Sequence, residues 1–305
     1  MTAVRVAVVQ TRAVLGDVNA NVAAAEAELR ALGGRADLAV FPELFTTGYA
    51  LDGFDHRRLA ENLDGPTIGR LRRAAAEADV ALCGGMLEAA GGSVYDTAVV
   101  IDRSGRLVGR YRKTHLHPSE RATFAPGDEL VVVALDDNIT LGTAICFEHG
   151  FPELFTELAL AGANVVAIPS AVPVRFEYLL ELRTRARAQD NQVFVAAANL
   201  GGNDGRTQWC GGSAIVDPRG RVVVGPAGRE PARLVAELDL AAIDAERGQE
   251  PVLRHRRPEL YRRLGPRGPG SVQRTQGGHH AYASDMEAAR RRRRGAGPGG
   301  GGLRG

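Results

Sequence analysis

Three reactive side chains of different kinds, Glu43, Lys113 and Cys146, each follow an apolar run that reads as a buried strand. Residues 38–41 lead through Pro42 into Glu43, 107–112 lead into Lys113, and a strand over 139–147 carries Cys146 just before a helix. In layered α/β proteins, ligands gather outside the carboxyl ends of strands. Groups far apart along the chain can therefore meet at one site.

Each of the three supplies what the others lack. A thiol with a pKa of about 8.5 is only a few per cent thiolate at neutral pH, and a carboxylate of about 4.3 is a weak acceptor for its proton. The gap is about four units, or roughly 5.7 kcal/mol. If the three meet in a buried site, burial is expected to raise the carboxyl, and Lys113 and the N-terminal dipole of the helix after Cys146 are expected to lower the thiol, which would close much of the gap. Lys113, joined by the Phe147 backbone N–H at the strand-to-helix elbow, is suited to hold the oxyanion formed when sulfur attacks a carbonyl.

Lys113 is also the single lysine among 38 basic residues. An ammonium is a compact point charge where a guanidinium is a broad planar fork, so this lysine is a candidate for a task arginine cannot perform. Plainer readings stand beside that one: compositional drift for Lys113, a turn residue in Glu43, and inert packing for Cys146. None of the three signals decides alone.

The elements that must position these groups alternate, over the first 260 residues, between apolar β-branched runs and amphipathic stretches, the pattern of a layered α/β fold. Strands are expected at 4–10, 38–41, 80–86, 95–102, 107–112, 139–147, 165–168, 193–198, 213–217, 221–224 and 233–238. Helices are expected at 19–32, 66–78, 152–161 and 175–191, with Pro66 at a helix start, where its fixed φ suits it. Arg103-Ser104-Gly105-Arg106 and Pro218-Arg219-Gly220 read as hairpin turns, and 115–129 as irregular.

Beyond Tyr261 the composition turns to Gly, Pro and Arg, including Arg290 to Arg294, and cannot bury enough apolar surface to offset its ordering entropy. The expected division is one domain over 1–261 and a disordered tail over 262–305. The net charge of +2 hides an asymmetry: the tail sets ten arginines against Asp285 and Glu287, which leaves the body at −6. An acidic body does not suit a nucleic-acid binder, so that reading rests on the tail alone.

At 44% hydrophobic, the chain has the composition of an ordinary globular protein. No apolar stretch approaches the ~20 residues that span a bilayer, and the run Val4-Arg5-Val6-Ala7-Val8-Val9 lacks the pattern of a signal peptide. A cytoplasmic location without a membrane partner is expected. Cys83, Cys146 and Cys210 are odd in number and widely spaced, which argues against a disulfide framework, and Cys83 and Cys210 are assigned to packing.

Three blocks carry a resemblance. Phe41-Pro42-Glu43-Leu44-Phe45-Thr46-Thr47-Gly48-Tyr49, Tyr111-Arg112-Lys113-Thr114-His115-Leu116 and the run 142–154 around Cys146-Phe147-Glu148-His149 resemble, in order and spacing, the signature blocks of the nitrilase superfamily of carbon-nitrogen hydrolases. The likeness extends from about Val4 to Tyr261 and takes in 185–191 and 212–220. It implies a four-layer α-β-β-α sandwich, with Glu43 as general base and acid, Lys113 as oxyanion stabiliser and Cys146 as nucleophile. Glu120, followed by Phe124 and Pro126-Gly127, matches a further glutamate that orients the lysine and the substrate. Glu148 departs from the pattern, because aspartate is common two positions after the cysteine.

The implied activity is hydrolysis of a small amide to a carboxylic acid and ammonia through a cysteine thioester, with no metal or organic cofactor. The resemblance also implies a homodimer or larger homo-oligomer. The branch most like this chain is that of the aliphatic amidases, including 5-aminopentanamidase-like enzymes acting on ω-amino amides. A nitrilase or an N-carbamoyl amine hydrolase would use the same three groups. Tyr49, Glu148, Ser170 and Ala171 are the expected pocket residues beside Phe147.

Other constellations are weaker. The alternation of His115 and His117 would put both on one face of an extended segment as a pair of metal ligands, yet no third or fourth ligand stands at a suggestive spacing. A Cys146–His149 dyad would have to share one tight elbow. His279-His280 and the arginine run would give the tail salt-dependent phosphate affinity in the non-enzyme reading, against the blander account of a solvated terminus.

Overall fold

Strands buried on both faces read as continuous apolar runs instead of alternating ones, and the first strand shows why. In β1 (Ala3–Gln10) Val4, Val6 and Val8 pack into one apolar core while Ala7 and Val9 pack into another. The same division recurs through β2 (Leu38–Val40), β3 (Ala81–Ala90), β4 (Ser93–Ile101) and β5 (Leu107–Arg112). The computed structural model describes residues 3–261.

These strands, with β12 (Ala232–Asp239), form a six-stranded sheet in the order β12-β1-β2-β3-β4-β5. A second sheet has the order β11-β10-β9-β8-β7-β6, built from β6 (Val132–Ala134), β7 (Thr140–Thr143), β8 (Val165–Ser170), β9 (Phe194–Asn199), β10 (Ala214–Val216) and β11 (Val222–Val224). At the centre of each sheet three strands run parallel, β1-β2-β3 in one and β7-β8-β9 in the other, flanked by antiparallel neighbours. The sheets meet through one core that joins Val6, Val8, Leu38 and Val40 to Leu141, Val165, Ala167 and Ala196.

Helices close the outer faces. α1 (Val18–Leu32) and α3 (Pro66–Ala78) cover the first sheet with Val22, Leu29, Ile68 and Leu71, while α2 (His56–Leu59) is a single turn between them in sequence. α4 (Pro152–Leu160) and α5 (Glu177–Asn191) cover the second with Leu154, Phe155, Leu158, Leu180 and Ala188. The result is the expected α-β-β-α sandwich.

Some boundaries differ from expectation for local reasons. The strand expected over 139–147 pairs only over Thr140–Thr143, because Cys146 opens a 3-10 turn, Cys146–Gly150, ahead of α4. β6 and α6 (Ala241–Gln249) were not expected: β6 has three residues, and α6 buries only Ile243 and contains Gly248, so neither has a strong periodic signal. Met1–His255 forms one compact unit, and a second begins at Arg256, whose described part holds the 3-10 turn Pro258–Leu260. The expected disordered tail over 262–305, with His279-His280 and the arginine run, lies outside the described residues. Among the described residues no helix is long and apolar enough to cross a membrane.

Candidate active site

Glu43 leaves the end of β2 in a segment held from both sides. Phe41 N donates to Cys83 O at 2.8 Å, Gly85 N to Pro42 O at 3.0 Å, and Glu43 N to Ser170 O at 3.3 Å. Gly84 and Gly85 of β3 let the segment lie this close: a Cβ on Gly85 would fall 2.5 Å from Leu44 N and 2.8 Å from Glu43 Cα. Leu44, just after, takes a φ of 47° and turns the chain away, leaving the Glu43 carboxyl inside.

Lys113 follows β5, where alternation sends adjacent side chains to opposite faces. Arg112 points to one face, pairs with Glu88 at 2.6 Å and covers the Tyr95 ring. Lys113 points to the other, where it is 1% exposed. Its backbone is clamped between Asp96 O, which accepts from Lys113 N, and Gly127 N, which donates to Lys113 O, each at 2.9 Å.

Three carboxyl groups surround the ammonium. Lys113 Nζ lies 2.5 Å from Glu43 Oε1, 2.7 Å from Glu120 Oε1 and 3.4 Å from Asp96 Oδ2. Glu120, in the 3-10 turn Pro118–Glu120, also accepts from the Tyr49 hydroxyl at 2.7 Å and from His117 N at 2.7 Å. Burial opposes the charge on Lys113, but Glu43, Asp96 and Glu120 outweigh it and hold the amine firmly protonated. The three carboxyls bring oxygens within 4.8 Å of one another, an arrangement that can hold a metal ion; here the ammonium serves as their cation.

Cys146 stands at the opposite side of the cluster, on the second sheet. Its φ of 44° lies in the left-handed region, which costs a residue with a side chain about 1–3 kcal/mol, and the turn behind it is braced accordingly. Ala144 N donates to Ala167 O at 3.1 Å and Glu148 N to Ile145 O at 3.0 Å. The Ala171 backbone N–H points at the sulfur. Burial and the Glu43 charge push the thiol well up, and Lys113 offsets only part of this. The lowering expected from Lys113 and a helix dipole is therefore reversed: burial dominates, and a short 3-10 turn stands where the helix start was expected.

The expected pocket residues divide. Tyr49, Phe147 and Ala171 line a cavity of about 670 Å³ together with Cys146, Glu120 and Trp209. Burial and the charges of Glu43 and Glu120 push the Tyr49 phenol up, which keeps it a donor. Ser170 does not line the cavity: it is fully buried, its hydroxyl donating to Ile168 O at 3.2 Å, and it contributes its carbonyl to Glu43 N instead.

Glu148 is likewise no pocket wall. It is 0% exposed and accepts from Tyr111 OH, Thr114 N, Thr114 Oγ1, His115 N and Ile145 N, so it ties the segment after β5 to the cysteine turn. Burial alone would raise it, but hydrogen bonds from His115, Thr114 and Ile145 more than offset this and hold it below the usual carboxylate range.

His115 stacks on Phe151, while His117 bonds Ser119 and meets the edge of Phe147, so each has its own partners. His149 is held neutral, pushed down to about 3 by burial and by Arg183 and Arg187, which removes it as a base for Cys146. Cys83 and Cys210 are free thiols packed in apolar cores.

Sequence reasoning missed Asp96 and Trp209. A signal for Asp96 was present: it shares strand parity with Val94, Ala98 and Val100, all buried, so an acid stands in an inward-facing row. Trp209 carries no such signal, since it sits in a loop whose path brings it to the edge of Tyr49.

Residues 5–247 match the family model described as carbon-nitrogen hydrolase. An (R)-stereoselective amidase of a Pseudomonas species is 36% identical over 243 residues, which cover 79% of this chain and 87% of that protein. Among solved structures, Saccharomyces cerevisiae Nit3, a member of branch 10 of the nitrilase superfamily, aligns with a TM-score of 0.77 and 30% identity over 84% of this chain and 97% of its own. A mutant of the amidase from Nesterenkonia sp. AN1, showing the result of Michael addition of acrylamide at the active site cysteine, aligns with a TM-score of 0.75 and 28% identity over 86% of this chain and 100% of its own. The chain belongs to the carbon-nitrogen hydrolase family, within the nitrilase superfamily.

Proposed function

We propose that the protein is an amidase that hydrolyses a small amide to a carboxylic acid and ammonia, with Cys146 as nucleophile, Glu43 as general base and acid, and Lys113 as oxyanion donor. The observation that carries this reading is the buried contact of Lys113 with Glu43 and Glu120 beside a raised, strained cysteine that faces the cavity. A thiol held in its neutral form needs a base at the moment of attack, and Glu43 is the carboxylate whose charge acts most strongly on the sulfur.

In the first half-reaction Glu43 accepts the thiol proton while sulfur bonds to the amide carbon. The oxyanion forms against Lys113 Nζ and the Phe147 N–H. Its collapse breaks the carbon-nitrogen bond, and Glu43 passes its proton to the departing ammonia. Water then enters, gives a proton to Glu43 and attacks the thioester. When that intermediate collapses, the acid departs and the proton returns to the sulfur.

The cavity favours one side of the expected substrate range. Arg175, Arg183 and Arg206 line it against Asp52, while Glu120 is already paired with Lys113. That balance favours neutral amides or amides carrying a carboxylate over the ω-amino amides expected from the sequence, whose ammonium would meet like charge. The protein as a whole acts as a homo-oligomer in the cytoplasm: Tyr178 and Leu182, one turn apart on α5, are 66% and 63% exposed, and the three free thiols suit a reducing compartment.

A panel of aliphatic amides, carboxylate-bearing amides, ω-amino amides, carbamoyl amines and nitriles, read by ammonia release, tests the reading. Carboxylate-bearing or neutral amides should give the highest kcat/KM, and Cys146→Ala should release none. Silence across the panel from folded protein would defeat the amidase assignment.

A further inference from the structure

Asp96 belongs to the same buried cluster yet has no part in the reaction as written. Its side chain is 0% exposed, and neither carboxyl oxygen has a hydrogen-bond partner. Lys113 Nζ, at 3.4 Å, is the nearest cation, and it is already bonded at 2.5 Å and 2.7 Å to Glu43 and Glu120. Glu43 Oε2 is the other carboxyl oxygen in the cluster without a partner. The carboxyls of Glu43 and Asp96 lie within the same 4.8 Å set.

Charge and hydrogen bonding together say where a proton must sit. Three ionised carboxylates around one ammonium would leave a net −2 among side chains at most 1% exposed, an arrangement that proteins relieve by protonating one member. Glu120 accepts from three donors, Lys113, Tyr49 and His117, which fixes it as an anion. Glu43 accepts from Lys113 through one oxygen and must be ionised to take a proton from the thiol. Asp96 has the poorest set of donors of the three.

We propose that Asp96 is a positioning residue that remains a neutral carboxylic acid and donates its proton to Glu43 Oε2, holding the base ionised and oriented between Lys113 and Cys146. One hydrogen bond then satisfies two of the three orphaned oxygens, Glu43 Oε2 and one oxygen of Asp96. Asp96 is suited to this by its place in β4, directly beside the strand end that carries Lys113, whose backbone N–H bonds Asp96 O. Burial and the Glu43 charge push its carboxyl well up, in keeping with a retained proton.

The titratable groups facing Asp96 are Glu43 from the segment after β2, Lys113 after β5 and Glu120 from its 3-10 turn. Its cross-strand neighbour on β3 is Leu87, which has none. Because these acids are coupled, their apparent pKa values belong to the group as a whole. A comparison between variants is therefore the informative measurement.

The inference rests on Glu43 as the base, so one arm of the test needs no turnover. The infrared difference spectrum of wild type against Asp96→Asn at neutral pH should contain the carbonyl band of a protonated carboxylic acid. Carboxylate bands alone would overturn the proposal, whatever the protein's activity.

The second arm is the pH profile of kcat/KM. Asp96→Asn removes no charge if Asp96 is neutral and keeps an N–H for Glu43, so the acid limb should stay at the wild-type position. A fall of about one unit or more would mean that a negative charge had been removed, and would overturn it. Asp96→Leu offers no donor, so its acid limb should move up and kcat should drop about thirtyfold, the scale of one lost charge-assisted hydrogen bond. Coincident profiles for the Asn and Leu variants would also overturn it. If the Leu variant does not fold, the Asn profile and the infrared band still decide.

Discussion

Lys113 shows why a charge-conserving change need not conserve function. Its ammonium fits among three carboxyl groups at 2.5–3.4 Å with 1% of its surface exposed. A guanidinium brings a wider plane and five donors into that space. Lys113→Arg should therefore lower kcat by about a hundredfold or more while circular dichroism stays native, the scale of losing an oxyanion donor. Substantial retained activity would defeat the argument from shape. At this scale the types of Glu43, Lys113 and Cys146 singled them out by their chemistry and the family resemblance added Glu120, and the structure brings the four together. It misled where environment decides: Glu148 reads as a pocket residue by proximity to Cys146, yet its five donors make it a buried brace.

Among the elements, β3 has an effect on the site that its sequence conceals. Gly84 and Gly85 look like weak points in a strand, since glycine leaves no side chain to pack. The structure gives them a purpose, because the Phe41–Phe45 segment lies directly on them: a Cβ at Gly84 would fall 2.7 Å from the Phe45 ring. Gly85→Ala is expected to push Glu43 out of line and reduce kcat by about tenfold or more with a smaller effect on KM, as steady-state kinetics on an amide would reveal. An unchanged kcat would show that the segment can yield. Long apolar strands and the helices α1 and α3 were legible in the chain because their burial is nearly uniform or periodic. The short β6 and the weakly apolar α6 were not, because pairing and packing with distant residues decide their state.

For the molecule as a whole, the four-layer order could not be read from periodicity, which marks strands but not their neighbours; only the family resemblance supplied it. α5 retains an apolar exposed strip, with Tyr178 and Leu182 a turn apart, on the side away from its buried Leu180, Thr184 and Ala188. A second copy covering that strip would gain the burial free energy of both side chains, about 1.5–3 kcal/mol for each large apolar group fully covered. Leu182→Glu should shift the mass measured by light scattering toward the monomer. An unaltered mass would place the oligomer contact elsewhere or exclude it.

The division of the site between sheets also bears on when the protein becomes reactive. Glu43, Asp96 and Lys113 are delivered by strands of the first sheet, Cys146 and the Ala171 N–H by those of the second. Without contact between the two sheets, the thiol has neither the Glu43 carboxyl nor the Lys113 ammonium beside it. A chain whose two sheets are not packed together therefore lacks the assembled cluster, and turnover reports that they have met.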